Sequence, residues 1–182
     1  MCSSDLAIAA DYWLRYAALN PKDPKCLASA AHHFAALDRA PEAEDLLRAA
    51  IQRDAQFVPA LFNLAFLLQK RQQHDVALDY FNRCLAANDN TDRAHYGKAL
   101  SLMALERYTE AKQSLQRAID LQPMSPYGYY QLATLYHRTG EEKSCIKTVK
   151  HLSTFEPALA VQLQKEIGVN AGVVDPMDYY RK

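Results

Sequence analysis

The chain has little glycine, little proline and no net charge. Its 182 residues include only 5 Gly and 8 Pro, a scarcity that suits helices better than a turn-rich β-sandwich. Lys plus Arg and Asp plus Glu both number 21, and this balance argues against binding of a phosphate backbone, which needs a positive excess. We therefore expect no nucleic-acid partner. Because the hydrophobic share of 49% is too high for a disordered chain, the composition predicts one folded domain or slightly more.

Segments for membrane insertion or export are also missing from the sequence. The longest apolar stretch, near Leu61–Leu68, contains Asn63 and is far shorter than the roughly 18 residues that a spanning helix needs. Met1–Asp5 has neither the basic start nor the apolar core of a signal peptide. We therefore expect no transmembrane segment and a cytoplasmic location, or a periplasmic or membrane-anchored one if the chain derives from a longer or lipidated precursor. The start Cys2-Ser3-Ser4 resembles a mature bacterial lipoprotein, which leaves a lipoprotein-type assembly factor open.

The cysteines and histidines form no recognised metal-binding or catalytic pattern. Four widely separated cysteines occur, at Cys2, Cys26, Cys84 and Cys145. They give no C-x-x-C pair, which disfavours zinc and thioredoxin-like sites. His32 and His33 are adjacent on one predicted helix, point to different sides and have no carboxylate at the usual ligand spacing. Since no glycine-rich phosphate loop or nucleophile motif occurs either, the sequence predicts no metal, no cofactor and no enzymatic activity.

A period of 34 residues organises the middle of the chain. Small residues recur at this spacing in two columns, and large apolar residues recur in two more. The small columns are Ala31, Ala65, Ala99, Ala133 and Ala43, Ala77, Ala111, Cys145; the large columns are Phe34, Leu68, Leu102, Tyr136 and Leu47, Phe81, Leu115, Val149. Four aligned columns predict four tandem units without insertion, and place the last three cysteines at small core positions.

Each unit contains two helical patterns in succession. In the second unit the apolar residues from Leu61 to Leu68 recur at i, i+3, i+4 and i+7, which is one face of a helix, and another such run begins at Ala77. Alternation with a period of two is absent, so we expect no strands. Asp23 and Ser125 each precede a proline, an arrangement that predicts a capping side chain at a helix start.

These columns resemble the tetratricopeptide repeat, whose unit of 34 residues is a helix–turn–helix. The signature is clearest in the segment from Ala111 to Pro123. His95 and Lys98 depart from the usual aromatic residue and leucine of the third unit, and Ala55 and Asp89 stand where proline is usual. The resemblance implies an all-α fold, a right-handed superhelical α-solenoid of helix–turn–helix repeats.

The resemblance and the two chain ends give a predicted organisation. Four units occupy residues 24–57, 58–91, 92–125 and 126–157. Residues 1–23 form a capping helix, or part of a truncated repeat, that mimics a second helix through Ala10, Leu14 and Ala17. Residues 158–168 form a solvating helix that closes the array, and residues 169–182, with Tyr179-Tyr180, form a flexible or extended tail. An exposed first helix or this tail leaves a homo-oligomer open.

In this family, the first helices of successive units line a groove that receives a partner segment. The resemblance places eight candidate contacts there, namely Phe62, Phe66, Arg93, Tyr96, Leu100, Tyr127, Tyr130 and Arg138. The same columns add Lys25, Ala28, His32, Gln69, Lys70, Met103, Thr134 and His137. Tyrosine and arginine often dominate binding energy, so the implied function is a non-enzymatic adaptor or scaffold that binds a partner peptide or helix. The alternative is an oligomeric assembly protein that uses its first helix or its tail.

A receptor for chaperone tails is disfavoured by the residues at the matching columns. Chaperone-binding members hold a C-terminal carboxylate with Lys, Asn and Arg side chains. The first three units here carry Ala28, His32, Asn63, Arg93 and Gly97 at those columns. Only Asn63 and Arg93 fit such a clamp, so we expect an apolar helix or an extended peptide instead.

Overall fold

The protein is built from helices connected by short turns. The computed structural model describes residues 3–174, and within that range it contains ten α-helices and no strand, which confirms the all-α class. The helices are α1 (Ser3–Leu19), α2 (Pro24–Ala36), α3 (Ala40–Arg53), α4 (Val58–Lys70), α5 (His74–Ala87), α6 (Asp92–Ala104), α7 (Tyr108–Leu121), α8 (Pro126–Arg138), α9 (Glu142–Ser153) and α10 (Pro157–Glu166). The chain divides into an N-terminal unit up to Ser101 and a C-terminal unit from Leu102.

The helix boundaries repeat with the period seen in the sequence. The helices α2, α4, α6 and α8 begin at Pro24, Val58, Asp92 and Pro126. The helices α3, α5, α7 and α9 begin at Ala40, His74, Tyr108 and Glu142. Successive starts of each kind are 34 residues apart, which confirms four tandem helix–turn–helix repeats. In each of these repeats 1–4, the first helix is the A helix and the second is the B helix.

The turn between the A and B helices has the same backbone geometry in every repeat. In repeat 2 the N–H of Gln73 donates to the carbonyl of Leu68 (3.0 Å), and that of Gln72 donates to the carbonyl of Gln69 (2.9 Å). These are the two bonds of a Schellman motif, which requires one residue with positive φ. In repeats 1 to 4 this residue is, respectively, Asp38, Gln72, Glu106 and Gly140, with φ of 60°, 61°, 59° and 74°. Three repeats thus hold an ordinary side chain in the left-handed region, at a cost of about 1–2 kcal/mol each.

The small-residue columns lie inside the helix packing. Every residue of the Ala31 column and of the Ala43 column has at most 1% of its surface exposed to solvent. Cys26, Cys84 and Cys145 are buried free thiols, and burial raises the pKa of Cys84 to about 11. These three cysteines therefore serve as small core residues, as the sequence register predicts.

Two departures from the repeat pattern contact each other. The Nε2 atom of His95 lies 2.9 Å from the carbonyl oxygen of Asp89 and 3.2 Å from its carboxylate. In repeat 4 the hydroxyl of Tyr129 donates to the carbonyl of Pro123 over 3.0 Å. Tyr129 occupies the column of His95, and Pro123 that of Asp89. The ring of His95 therefore makes the contact with the preceding turn that a tyrosine makes in repeat 4.

The first helix packs on α2 through a different residue from the one expected. Ala10 and Ala17 are buried, and Trp13 packs against the same core. Leu14 is 36% exposed, so its predicted core position was wrong. At about 100° per residue, Trp13 and Leu14 lie about 50° to either side of the direction shared by Ala10 and Ala17, and the structure turns the Trp13 side toward the core.

One of the two predicted caps is present. An Oδ1 atom of Asp23 accepts from the N–H of Lys25 over 2.9 Å and caps α2. Ser125 makes no side-chain cap bond at α8, so that prediction was wrong.

The last described residues return along α10. Gly168 follows the helix with φ of 69°, as a terminating glycine does. The side-chain amide of Gln164 donates to the carbonyl of Val173 over 2.5 Å and accepts from its N–H over 3.3 Å. Cys2, on which the lipoprotein resemblance depends, and Tyr179-Tyr180, which the predicted tail contains, lie outside the described residues. Among residues 3–174, every helix falls short of the length or the apolar character needed to cross a bilayer.

Gly97 in α6 makes room for the largest member of the Leu47 column. A Cβ atom added at Gly97 would lie 2.4 Å from Cζ of Phe81 in α5, whose ring is fully buried. Repeat 1 carries leucine at the Phe81 column, and repeat 2 carries Asn63 at the Gly97 column. Glycine thus compensates for the larger ring at this contact.

We expect Gly97→Ala to lower the free energy of unfolding. Overpacking costs about 1–3 kcal/mol, and the better helix propensity of alanine recovers at most about 1 kcal/mol. Because leucine removes the ring atoms that meet the new Cβ, the same substitution in a Phe81→Leu background should be neutral or stabilising. Urea unfolding of the four proteins of this double-mutant cycle measures the difference, and an equal loss in both backgrounds would contradict the assignment.

Candidate binding surface

Two adjoining clefts open on the A-helix side of the N-terminal unit. The first encloses about 480 Å³ and lies between α1, α2 and α4, with Trp13 and Lys25 in its lining. The second encloses about 440 Å³ and is lined by residues of α2, α3 and α4, with Phe66 in its lining. His32 and Asn63 line both clefts, so the two clefts adjoin. The A-face surface is defined here by Trp13, Lys25, His32, Asn63, Phe66 and Lys70.

Phe66 brings an aromatic ring to this surface, and the ring of Phe62 stacks against it. The two rings have their centroids 6.3 Å apart and their planes 13° apart. Phe62 in turn meets the buried ring of Phe81 edge-on at 6.2 Å. Lys70 Nζ lies 5.3 Å from the Phe66 centroid, and Phe66 is 46% exposed. The stack fixes the ring position, so that a ligand would meet an ordered aromatic face.

Three more predicted contacts lie on α6 within the N-terminal unit. Arg93 is exposed, whereas Tyr96 and Leu100 are half-buried. The side-chain amide of Gln69 donates to the carbonyl of Gly97 over 2.7 Å. This bond joins α4 to α6 on the side of the helices where the predicted contacts lie.

The remaining predicted contacts lie on α8 in the C-terminal unit. Tyr127 is 66% exposed. The hydroxyl of Tyr130 donates to the carboxylate of Glu166 in α10, a bond that raises the pKa of Tyr130 and lowers the pKa of Glu166. The guanidinium carbon of Arg138 lies 5.9 Å from the ring centroid of Tyr108. Tyr130 and Arg138 therefore already have partners within the unit, and Tyr127 projects outward.

The structure brings together only some of the eight predicted residues. Phe62 and Phe66 lie side by side, and Lys70 joins them. Ala28, which was predicted to face the groove, is buried, so that prediction was wrong. Trp13 was not among the predicted contacts, because α1 lies outside the repeat columns. The spacing of Ala10, Trp13 and Ala17 is compatible with one helix face, but Leu14 fits the same spacing, so the sequence has no signal that selects Trp13.

The chain is similar in sequence to tetratricopeptide repeat models and in fold to several solved structures. A model described as tetratricopeptide repeat matches residues 59–91, and one described as TPR repeat matches residues 99–140. No curated protein matches the chain. MamA from Desulfovibrio magneticus RS-1, from its residue 41 to its end, has a TM-score of 0.72 at 19% identity, covering 88% of this chain and 86% of that chain.

Two further solved structures are described by what they bind. YrrB, a TPR protein with an unusual peptide-binding site, has a TM-score of 0.75 at 18% identity, over 89% of this chain and 84% of that chain. The first TPR of Spaghetti, bound to an HSP90 peptide, has a TM-score of 0.64 at 19% identity, over 65% of this chain and 94% of that chain. At these identities the likeness shows a shared fold.

The bond between Tyr130 and Glu166 predicts a measurable pH effect. Because the pKa of Glu166 is lowered in the folded state from its ordinary value of 4.5, the bond stabilises the fold above that value and is lost as the pH falls through the lowered pKa. We expect Tyr130→Phe to raise the pKa of Glu166 toward 4.5 in an NMR titration of the side-chain carboxyl. Tyr127→Phe is the matched control and should leave it unchanged, and a pKa that does not move in Tyr130→Phe would contradict the bond.

Proposed function

We propose that this chain, which is a tetratricopeptide repeat protein, is a non-enzymatic adaptor or scaffold that binds a partner peptide or helix on its A-face surface. The observation that carries the proposal is that two adjoining clefts share His32 and Asn63 in their linings. Two adjoining clefts can hold two side chains of one partner segment, whereas an isolated cleft holds one. The similarity of the fold to one structure bound to a peptide and to one with a peptide-binding site supports the same conclusion.

The chemistry of the A-face surface suits a peptide with apolar side chains. Trp13 and Phe66 supply aromatic area at the two ends, and aromatic residues often dominate binding energy. Asn63 lies between them, and its amide can both donate to and accept from the backbone of an extended segment. Lys25 and Lys70 add positive charge, which favours a partner that also carries carboxylates.

The other predicted contacts extend this proposal within each unit. We propose that Arg93, Tyr96 and Leu100 lengthen the binding surface along α6, and that Tyr127 contributes a contact on α8. Tyr130 and Arg138 contribute if a partner replaces Glu166 and Tyr108 as their neighbours. We do not propose a chaperone-tail clamp, since the matching columns carry His32 and buried Ala28 in place of lysine and asparagine.

Substitution of Phe66 tests the proposal once a partner is in hand. Affinity capture from the source cells followed by mass spectrometry identifies the partner, and isothermal titration calorimetry then gives its Kd. We expect Phe66→Ala to weaken binding by more than about 1 kcal/mol, which is roughly fivefold in Kd. Val76→Ala is the control, because Val76 is 43% exposed against 46% for Phe66 but lies on the B helix α5. Equal affinities of wild type and of Phe66→Ala and Asn63→Ala, with unchanged circular dichroism, would move the site elsewhere.

Self-association through α1 is a second candidate function. Ile8, Tyr12 and Leu19 are 69%, 59% and 81% exposed, and they share a face of α1 with Tyr16, whose ring stacks on that of Tyr12 at 6.4 Å. An exposed apolar helix face of this kind often marks a protein–protein contact. If it pairs two copies, light scattering should show a mass that rises with concentration and returns to the monomer value in Ile8→Glu. A concentration-independent monomer would exclude this function.

A further inference from the structure

A third cleft, of about 320 Å³, opens on the B-helix side of the C-terminal unit. Its floor is formed by Tyr129, Leu132 and Tyr136 of α8, and its walls by α7 and α9. Tyr129 and Tyr136 lie on the opposite side of α8 from Tyr127, because they are offset by about 180° around the helix. This B-face cleft is therefore distinct from the A-helix side on which the proposed function depends.

The equivalent groove in the N-terminal unit is filled by one of the chain's own tyrosines. Tyr80 of α5 lies between two arginines. Arg48 of α3 donates to the Tyr80 hydroxyl over 3.0 Å, with its guanidinium carbon 5.9 Å from the ring centroid. Arg83 lies 5.0 Å from the same centroid, and Glu44 holds Arg48 at 2.7 Å. The side chains of α3 and α5 thus close the groove above α4.

Two repeats later the same columns carry shorter side chains. Thr148 stands at the column of Tyr80, Gln116 at that of Arg48, and His151 at that of Arg83. Gln116 donates to Asp120 over 2.9 Å, and the Thr148 hydroxyl donates to the carbonyl of Ser144 over 2.8 Å. Both side chains bond within their own helices rather than across the groove. The B-face cleft is the space that a tyrosine occupies in the N-terminal unit.

The surroundings of the B-face cleft favour an aromatic group. The ring of Tyr129 has its centroid 4.9 Å from that of His151, so aromatic side chains line one end. At the other end Lys112 Nζ lies 5.6 Å from the centroid of Tyr136 and also pairs with Glu141. An entering ring would meet edges and faces of rings already in place, an arrangement that stabilises aromatic pairs beyond their buried area.

The charge at the rim of the B-face cleft favours an acidic neighbour. Lys147 lines the cleft and is exposed. Within residues 3–174 it has no carboxylate at ion-pair distance, whereas Lys112 is already paired. Repeat 2 carries Asp79 at the column of Lys147, so the two grooves also differ in the sign of this charge. A partner carboxylate beside the aromatic ring would complement Lys147.

We propose that the B-face cleft binds an aromatic side chain of a partner peptide, with an adjacent acidic residue paired to Lys147. The ring replaces, from another chain, the group that Tyr80 supplies internally in the N-terminal unit. The acidic residue sets the orientation of the bound peptide, because Lys147 lies on the wall of the cleft that α9 forms. The site is independent of the A-face surface, so either can fail without the other.

A short synthetic peptide tests the site directly. The probe is a capped pentapeptide with tyrosine between two glutamates and glycine at each end, titrated into the 15N-labelled full chain. We expect saturable shifts at the amides of Gln116, Lys147, Thr148 and His151. Replacing the tyrosine of the probe with alanine, or both glutamates with lysine, should weaken Kd at least tenfold. Failure of the glutamate–tyrosine probe to give saturable shifts would overturn the proposal.

Variants of the chain distinguish binding in the B-face cleft from binding elsewhere on the protein. Thr148→Tyr restores the side chain found at this column in repeat 2 and should abolish binding. Lys147→Glu, at an exposed position, should weaken the acidic probe at least tenfold and favour the lysine-flanked one. Phe66→Ala, on the A-face surface, should leave Kd unchanged. Circular dichroism checks that each variant folds. If Thr148→Tyr does not fold, Lys147→Glu still tests the site.

Three results would overturn the proposal. The first is wild-type affinity for the probe in both Thr148→Tyr and Lys147→Glu. The second is a loss of affinity in Phe66→Ala, which would place the probe on the A-face surface. The third is self-association of the wild type that Thr148→Tyr abolishes and the probe does not compete with, because a second copy would then be the occupant.

Discussion

The close approach of neighbouring helices at small residues is the constraint from which the rest of the structure follows. Alanine or cysteine occupies the two small columns in all four repeats, and each of these residues is buried. A larger side chain there would push the helices apart, since interiors are packed without spare volume. The contact of Phe81 with Gly97 shows the same constraint from the other side. Where one column carries a larger residue, the facing position carries the smallest one.

The buried small-residue columns are shared by all four repeats, whereas the columns nearer the surface differ between repeats. These differences create the two candidate sites. Tyr80 and Arg48 close a groove in the N-terminal unit, while Thr148 and Gln116 leave the equivalent groove open in the C-terminal unit. On the A-helix side, Phe62 and Phe66 stack on each other in repeat 2 and turn a helix face into an aromatic surface. Backbone geometry is thus shared among repeats, and chemistry is specific to each of them.

The sequence predicts the repeat fold well because that fold depends on residues that repeat. The repeated helix starts and the burial of Cys26, Cys84 and Cys145 follow from columns with one period. The candidate sites were harder to predict, because they depend on contacts that the period does not contain. Tyr130 contacts Glu166 on α10, and Trp13 reaches α2 from α1, and neither α1 nor α10 carries the full repeat. His95 and Asp89 look like two separate departures in the sequence, and only their contact in space shows that one accommodates the other.

Packing between neighbours in the chain has a consequence for how the protein opens. Within the N-terminal unit α1 packs on α2, α2 on α3, α3 on α4 and α4 on α5, and within the C-terminal unit α7 packs on α8, α8 on α9 and α9 on α10. A fold of low contact order forms quickly, and linear arrays gain stability from adjacent interfaces. Within residues 3–174, α1 packs on α2, whereas α2 packs on both α1 and α3. Detaching α1 therefore breaks fewer helix–helix contacts than detaching α2, and amide hydrogen exchange would be faster in α1 than in helices that are covered on both sides.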